Sequence, residues 1–553
     1  MMHNDIAGHV TGKSVFLDDI PQLIGTLYAV PVVSEVAYGR IRNLDVSAAY
    51  SCQGVHAVLT PADIPGENQI GGIIPDEPLL ASEEVHFVGQ PIALVVAESE
   101  RTARLAAKLV KADMEEFVAV TDEREAFRLG HFLFPPRTFR MGNTEEAWGR
   151  CAHIFEGTAS SGAQEHLYLE TQAAYACVTE NGNMVIHSAT QGPTAVQKTM
   201  SRVLGIPLNR IEVDVRRLGG GFGGKEDQAT AWAALAGLAA WKTGKPVKLV
   251  LSRHDDLRMT GKRHPYSSDF RIGLMEDLKI VAWEVTYYQN GGAAADLSPA
   301  ILERTLLHAT NSYYIPHVTA TAYSCRTNLP PNTAFRGFGA PQAMFVMESA
   351  IALAADKLGI PAYVVQERNL VKEGDRFPYG QVVTESHAGT CWNEIVRQGK
   401  LERKISETQK FNREEAFLKK GISLMPVCFG ISFTHTSMNQ ARALVHIYQD
   451  GSIGISTGAV EMGQGVNTRL KQIAALAFSV NPGRIKIETT NTTRVANTSP
   501  TAASSGADLN GKALQAACSE LIIRLKEQVV RMTGEKGNSI TLLNERVLSG
   551  GRD

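Results

Sequence analysis

The chain has few cysteines, and none is paired for metal binding. The seven, at positions 52, 151, 177, 325, 391, 428 and 518, include no C-x₂₋₄-C clip. An odd, scattered set fits a reducing compartment better than a disulfide framework. Each reads as a small buried apolar side chain, which argues against iron–sulfur ligation by this chain. The fifteen histidines contain no H-x₃-H or H-E-x-x-H, so no protein-ligated zinc site is expected. The longest apolar run, Ala229–Trp241, is shorter than the roughly 18 residues a membrane span needs. Met1–Asp5 shows no basic-then-apolar leader, so no signal peptide is visible. An excess of either charge is also missing. Lys plus Arg total 55 and Asp plus Glu 57, a net charge of −2, which offers no general field for nucleic acid. These absences lead to the expectation of a cytoplasmic protein that binds neither membrane nor nucleic acid.

What is present is ordinary globular composition, 44% hydrophobic and 20% charged across 553 residues. That length suggests about three to four domains. Residues 1–125 read as a mixed α/β unit. Within them Val85–Glu98 is a Gly-Gln-Pro turn feeding a buried strand, and Ser99–Lys111 is a helix with Ser99 as N-cap. Pro135 to Gly149 is polar and reads as a linker. The first large region runs over 126–385, alternating strands and helices. Residues 386–420 are highly charged and read as a helical connector. A second strand-and-helix region covers 421–553.

The two large regions resemble each other. In the first, a strand at Met184–His187 leads to a turn around Gln191, a helix Thr194–Leu204 and a strand Ile211–Val215. In the second, a strand at Ser452–Ser456 leads to Glu461–Gly465, a helix Asn467–Ser479 and a strand from Ile485. Gln191 precedes Ile211 by 20 residues, and Gln464 precedes Ile485 by 21. The pattern predicts two facing α/β lobes, each with a Gln-Gly turn at a strand-to-helix junction, where open α/β sheets bind ligands.

Glycine is clustered. Leu218–Glu226 (LGGGFGGKE) opens an apolar helix, and its backbone N–H groups could cradle an anion or a planar ligand. Gly219, Gly221 and Gly224 satisfy G-x-G-x-x-G, so a dinucleotide-binding oxidoreductase is one reading. The acid expected about 20 residues on is missing at the end of Val247–Leu251. A phosphate-binding P-loop fails because Glu226 stands where a hydroxyl is required. A plain tight turn packing helix on sheet is the third reading. Three further small-residue loops precede helices: Ala334–Gln342 (AFRGFGAPQ), Gly458–Gly465 (GAVEMGQG) and Thr498–Ser505 (TSPTAASS). Four such loops imply one large ligand held mainly by backbone and amide groups.

At these motifs, with Gln164–Thr171 (QEHLYLET), the chain resembles the molybdenum-cofactor subunit of the xanthine dehydrogenase/aldehyde oxidase family. Gly12–Pro21 (GKSVFLDDIP) resembles the opening of that family's a/b-hammerhead domain. The resemblance implies an α/β (α+β) architecture: a hammerhead domain followed by two molybdopterin-binding lobes, the second incomplete. It implies molybdenum held by the dithiolene sulfurs of molybdopterin, which explains the missing protein ligands. It also implies hydroxylation of an electron-poor carbon, with iron–sulfur clusters and FAD on partner subunits of a hetero-oligomer.

Carried over by motif, Gln191 resembles the amide beside the metal's apical oxygen, and Gly221, Phe222 and Gly223 the backbone next to it. Arg336 approaches the same centre. Gln191, Phe222, Arg336 and Ala503 would surround the metal without ligating it. Met462, Gly463 and Gln464 resemble the pterin turn; Ala502, Ala503, Ser504 and Ser505 resemble the loop that binds pterin and phosphate. Phe338 and Phe433, with Thr434 beside it, resemble the aromatic walls of a flat substrate site. Glu226 and Arg304 resemble the catalytic polar pair that binds a purine. Taken alone, the two phenylalanines read as core, Arg304 as a surface helical charge, and Glu226 as an acid favouring a helix N-terminus. Glu226 with Arg304 favours xanthine dehydrogenase activity on hypoxanthine or xanthine. Aldehyde oxidases and other N-heterocycle hydroxylases are the alternative.

The family's general base, a glutamate in a Gly-x-Gly-Glu-Pro-like motif, has no match. Gly534-Glu535-Lys536 is the nearest string and lacks the proline. The expectation is therefore a C-terminally truncated chain, with a catalytically incompetent fragment as a further reading.

Overall fold

The structure is a computed structural model describing residues 5–534 and 537–549. Glu535 and the terminal residues 550–553 lie outside the described residues. The first segment supplies β1 (Leu27–Val33), β2 (Gly39–Asp45), β3 (Val55–Leu59), β4 (Glu84–Val85), β5 (Pro91–Ala97) and β6 (Lys111–Glu116). β5 is almost wholly buried, as its continuous apolar run requires of a central strand. Ser99 caps the following helix, its hydroxyl accepting from the Thr102 N–H at 3.1 Å. That helix ends at Ala107 rather than Lys111, because Lys111–Glu116 is drawn into antiparallel pairing with β2.

The middle of the chain supplies β7 (Arg137–Met141), β8 (His153–Ser161), β9 (Ala173–Val178), β10 (Met184–Ser188), β11 (Ile211–Val215), β12 (Val247–Val250), β13 (Tyr266–Leu274), β14 (Ile280–Gly292) and β15 (His317–Arg326). The last part supplies β16 (Ala443–Ile447), β17 (Ile453–Thr457), β18 (Ile485–Ile487) and β19 (Thr490–Asn491). One mixed sheet runs in the order β19-β11-β10-β9-β12-β1-β5-β3. It therefore joins strands from the first segment, the first lobe and the second lobe. β12 pairs parallel with β1, and β11 pairs antiparallel with β19. Its core packs around Ala229–Thr243, an alanine-rich helix buried on almost every face. A second sheet, β7-β15-β14-β13-β8, packs on the helix Ala340–Leu358 and has its own core.

The expected linker at Pro135–Gly149 is structured. Arg137–Met141 adds an edge strand to β15. Thr144–Trp148 is a short helix whose N-cap Asn143 accepts from Glu146 N–H at 3.4 Å. Trp148 is buried. Both pieces are too short for a periodicity to register, and their partners lie far along the chain.

The internal repeat is a physical one. β9-β10-helix-β11 and β16-β17-helix-β18 share one pattern: an antiparallel pair, a helix, and a parallel return. β10 pairs parallel with β11, and β17 with β18. The helices between them are Pro193–Leu204 and Val466–Phe478. The second lobe's small core rests on the latter and on the long helix Gly506–Thr533. The charged connector forms two helices, Ala388–Gly399 and Leu401–Glu414. Among the described residues no helix is long and apolar enough to cross a membrane.

Candidate cofactor and substrate site

Gln191 sits at the C-terminal end of β10, where the parallel return opens a crevice, and only 2% of it is exposed. Its backbone N–H donates to the Lys225 carbonyl at 2.7 Å, which ties the turn to the end of the glycine loop. Its side chain does two jobs. Oε1 accepts from Gly223 N–H at 2.9 Å, and Nε2 donates to the Thr501 carbonyl at 3.0 Å. One buried amide thus joins the glycine loop of the first lobe to the small-residue loop of the second. Leu218 N–H donates to the Glu461 carbonyl at 2.9 Å, a second stitch between the lobes.

The loops close around this point. A Cβ on Gly221 would lie 2.6 Å from Gln191 Oε1 and 3.1 Å from Met462 Sδ. Gly223 has φ +102°, and its Cβ would lie 2.6 Å from the Ala334 carbonyl oxygen. Arg336 N–H donates to the Phe222 carbonyl at 2.8 Å. Gln191, Gly221, Phe222, Gly223, Arg336 and Met462 are therefore brought together. Met462, Gly463 and Gln464 form a compact turn: Gln464 Oε1 accepts from Met462 N–H, and Gln464 Nε2 donates to the Val460 carbonyl. The sequence reading overlooked Glu461. Its carboxylate accepts from the N–H groups of Gly463, Gly465 and Asn467 and so caps the following helix.

Non-glycine residues with left-handed backbone gather here. Phe222, Phe338, Ser432, Ala503 and Ser504 have φ between +53° and +70°, conformations of the kind that concentrate at ligand clamps. Ser505 closes its own turn, with Oγ donating to the Ala502 carbonyl at 2.9 Å. Among the described residues, the backbone N–H groups of Ala502, Ala503 and Ser504 have no protein acceptor, nor do those of Gly220, Gly221 and Phe222. Two sets of free donors on facing loops suit a large polar ligand carrying negative charge.

Arg304 is buried, on the helix Ser298–Leu307. It is not a surface charge, and it forms no ion pair with Glu226. Its two terminal nitrogens donate to the carbonyls of Gly430 and Ser432, while buried Nε has no partner among the described residues. Ser432 N–H in turn donates to the Ala503 carbonyl at 2.6 Å. Arg304 thus shapes the segment that carries Phe433 and Thr434. His308 adds to this: Nε2 accepts from Gly430 N–H at 3.1 Å, and the protonated Nδ1 faces the Arg304 carbonyl. Burial holds its pKa down near 4, so the ring is neutral. The Phe433 backbone is clamped at both ends by Asn439. Phe338 and Phe433 are half-buried, and no ring contact joins them among the described residues. Phe433 lines a narrow crevice with Thr498, Pro500, Thr501 and Ser505.

Glu226 is 6% exposed, and its carboxyl makes no hydrogen bond or ion pair among the described residues. Burial, then the neighbouring Asp227 and Asp296, raise its pKa to about 8. It is a neutral acid at pH 7, able to donate a proton in a hydrogen bond. No group of three or more His, Cys, Asp or Glu among the described residues is arranged to hold a metal.

The fold and site define a two-lobed α/β protein that presents backbone amides without protein acceptors, among the described residues, at the lobe junction. The comparisons with known proteins give a class to the ligand these amides suit. Residues 129–370 and 394–552 each match a molybdopterin cofactor-binding domain. Residues 11–117 match the aldehyde oxidase and xanthine dehydrogenase a/b hammerhead domain. The chain belongs to the xanthine dehydrogenase/aldehyde oxidase family of molybdenum-cofactor-binding proteins.

It is 40% identical to xanthine dehydrogenase/oxidase of Mus musculus over 517 residues, which is 93% of this chain and 39% of that protein. It is 40% identical to aldehyde oxidase 2 of Cavia porcellus over 528 residues, 95% of this chain and 39% of that one. The chain therefore spans about two fifths of the length of these relatives. Among solved structures, quinoline 2-oxidoreductase from Pseudomonas putida 86 superposes with a TM-score of 0.90 at 24% identity, covering 100% of this chain and 73% of that chain.

Proposed function

We propose that this chain is the cofactor- and substrate-binding part of a xanthine dehydrogenase-like molybdenum hydroxylase acting on hypoxanthine or xanthine. The observation that carries the reading is that two polar side chains have hydrogen-bonding capacity unused among the described residues: the Glu226 carboxyl, 6% exposed, and the buried Nε of Arg304, the residue that holds the segment carrying Phe433. A buried acid and a buried guanidinium nitrogen without partners are costly against an apolar ligand. A flat heterocycle with ring nitrogens and carbonyl oxygens would give the Glu226 carboxyl a partner, and would give one to Arg304 once its guanidinium turns from the Gly430 and Ser432 carbonyls.

The residues present fit a molybdopterin. Free N–H groups at Ala502–Ser504 would receive its polar atoms, and the amides at Gly220–Phe222 together with Gln191 would face its metal end. Gly463 and Gln464 would flank the pterin. When bound, the group supplies two-electron redox chemistry at molybdenum. The chain's own residues would do the rest. Phe338 and Phe433 would hold the substrate ring flat between them, with Thr434 as a polar contact at its edge. Neutral Glu226 would donate to a ring acceptor, and Arg304 would stabilise negative charge developing on the ring. Iron–sulfur and flavin partner subunits would take the electrons, in a hetero-oligomer.

Overall identity does not separate the purine reading from an aldehyde oxidase, since both kinds of relative reach 40%. The test is co-expression with candidate iron–sulfur and flavin subunits in a host that makes the cofactor. Xanthine-dependent dye reduction is then measured beside Glu226→Ala. Loss of xanthine turnover with aldehyde turnover retained supports the purine reading. Unchanged xanthine turnover in the variant sinks it. Stoichiometric molybdenum with no turnover of either substrate assigns a binding role to these residues, and absence of molybdenum returns the dinucleotide reading.

A further inference from the structure

Beneath the glycine loop runs the stretch 166–172, in which the side chains of His166, Tyr168, Glu170 and Gln172 all reach that loop. His166 Nε2 bonds the Ala334 carbonyl at 2.7 Å, and its ring lies 2.7 Å from where a Cβ on Gly224 would stand. The Tyr168 Cβ lies 2.9 Å from the same position on Gly220, and the Glu170 Cβ 2.5 Å from that on Gly219. Gln172 Nε2 donates to the Gly224 carbonyl at 2.8 Å. Gly219, Gly220 and Gly224 are therefore small because the loop lies flat on this stretch. Gly221 is small because Gln191 and Met462 pack against it, and Gly223 because the Ala334 backbone does.

Glu170 is the centre of this arrangement. Its Oε2 accepts from Gly219 N–H at 2.9 Å and from Lys225 Nζ at 3.1 Å. One carboxylate oxygen thus holds both ends of the loop. Its Oε1 accepts from Leu17 N–H at 3.1 Å, bringing in the hammerhead segment. The Lys225 side chain is fully buried, 4.6 Å from the centre of the Tyr168 ring, and Glu170 is its only ion-pair partner among the described residues. The Lys225 carbonyl is the acceptor for Gln191 N–H. A continuous path therefore leads from the Glu170 carboxylate, through Lys225, to the amide that bridges the lobes.

We propose that Glu170, acting through Lys225, is a positioning residue that sets where Gln191 and the Phe222–Gly223 backbone stand relative to the cofactor. This rests on the reading of the loop as a molybdopterin site. Glu170 itself touches none of the groups assigned to ligand or substrate. Its carboxylate keeps the loop closed before a ligand arrives, so the free amides of Gly220–Phe222 are pre-arranged and need not be ordered on binding.

Three variants of the co-expressed assembly test it. Glu170→Asp keeps the charge and withdraws it by one methylene. Glu170→Gln leaves Lys225 buried without a counter-charge. Glu170→Gln with Lys225→Met removes both charges together, which lifts the penalty of an unpaired buried ion. The first readout needs no cofactor: amide hydrogen exchange in cofactor-free protein. The loop amides that have protein acceptors, Gly219, Gly223 and Gly224, should exchange about tenfold faster in Glu170→Asp and in the double variant, the size expected for losing one charge-assisted hydrogen bond, with Ala229–Thr243 unchanged. In loaded protein the molybdenum(V) electron paramagnetic resonance spectrum should shift, and cofactor release should speed up by about the same factor.

Wild-type exchange, spectrum and release in Glu170→Asp and in the double variant, both melting near the wild-type temperature, would overturn the proposal. So would a loss of melting temperature that accounts for every change in exchange. If wild-type protein acquires no molybdopterin, the functional reading fails, and the exchange measurement still decides whether Glu170 positions the loop.

Discussion

Gln191 and Thr501, 310 positions apart, are joined by one hydrogen bond of 3.0 Å from the glutamine side chain to the threonine carbonyl. The return bond, Thr501 N–H to the Gln191 carbonyl, is 2.9 Å. This doubly bonded pair ties the two lobes together. Replacing Gln191 by alanine strands the Gly223 N–H and the Thr501 carbonyl in a buried place. Each such loss costs about 1–3 kcal/mol. Gln191→Ala should therefore lower the melting temperature and reduce bound molybdenum well below stoichiometric. Metal analysis beside a thermal melt of the cofactor-free protein checks it. Full molybdenum occupancy at an unchanged melting temperature would refute it.

Gly221 and Gly223 should differ in their tolerance. Gly221→Ala presses on two side chains, Gln191 and Met462, which can shift by rotamer. Gly223→Ala presses on the Ala334 backbone from a φ of +102°. The backbone cannot yield cheaply, and such a conformation costs a non-glycine residue about 1–3 kcal/mol. Gly223→Ala should be the more destabilising of the two by chemical denaturation. Equal losses would mean that the loop relaxes as a whole.

Much of this site was legible in sequence because its signals are local. A strand, a glycine-rich turn and a helix opening are read within a dozen residues, so the four loops and the repeat of the two lobes stood out. The stretch holding His166, Tyr168, Glu170 and Gln172 shows a clear alternation, but the loop it supports lies about 50 residues away and sequence does not pair the two. Arg304 looked like a surface helical charge because LERTLL has no strong polar face. Its burial comes from the 428–434 segment folding back over it from 126 residues on. Pro135 to Gly149 looked like a linker, although Asn143 with Glu146 is a capping signature. Their edge strand is ordered by β15, about 180 residues distant.

Acidity around Glu226 should make the fold pH-sensitive. Its carboxyl has a raised pKa of about 8, against 4.5 when unperturbed. Burial raises the neighbouring Asp227 and Asp296 as well, and Arg202 partly offsets this at Asp227. Between the unfolded and folded values the native state binds more protons than the unfolded chain. Stability from Glu226 is then fully present below about pH 4.5 and is lost as pH rises towards and through about pH 8. Urea denaturation of cofactor-free protein across that window should show a falling midpoint. Glu226→Gln, which keeps a neutral side chain, should flatten the slope. An unaltered slope in the variant would place the titration elsewhere.

Arg304 makes a different demand. Its guanidinium spans the carbonyls of Gly430 and Ser432, and Ser432 N–H reaches the Ala503 carbonyl. A lysine there has one terminal nitrogen and cannot hold two divergent carbonyls in the same fixed geometry. Arg304→Lys should therefore keep the charge and still loosen the segment carrying Phe433. Amide exchange should rise across residues 430–434 and at Ser432 above all, while the Ser298–Leu307 helix keeps its protection. Arg304→Met should do the same and add about 1–3 kcal/mol of lost stability, because both carbonyls lose their donors. If the segment stays protected in both variants, then Asn439 and the Ala503 carbonyl alone hold Phe433 in place. Arg304 would then be free to turn its guanidinium wholly towards the substrate.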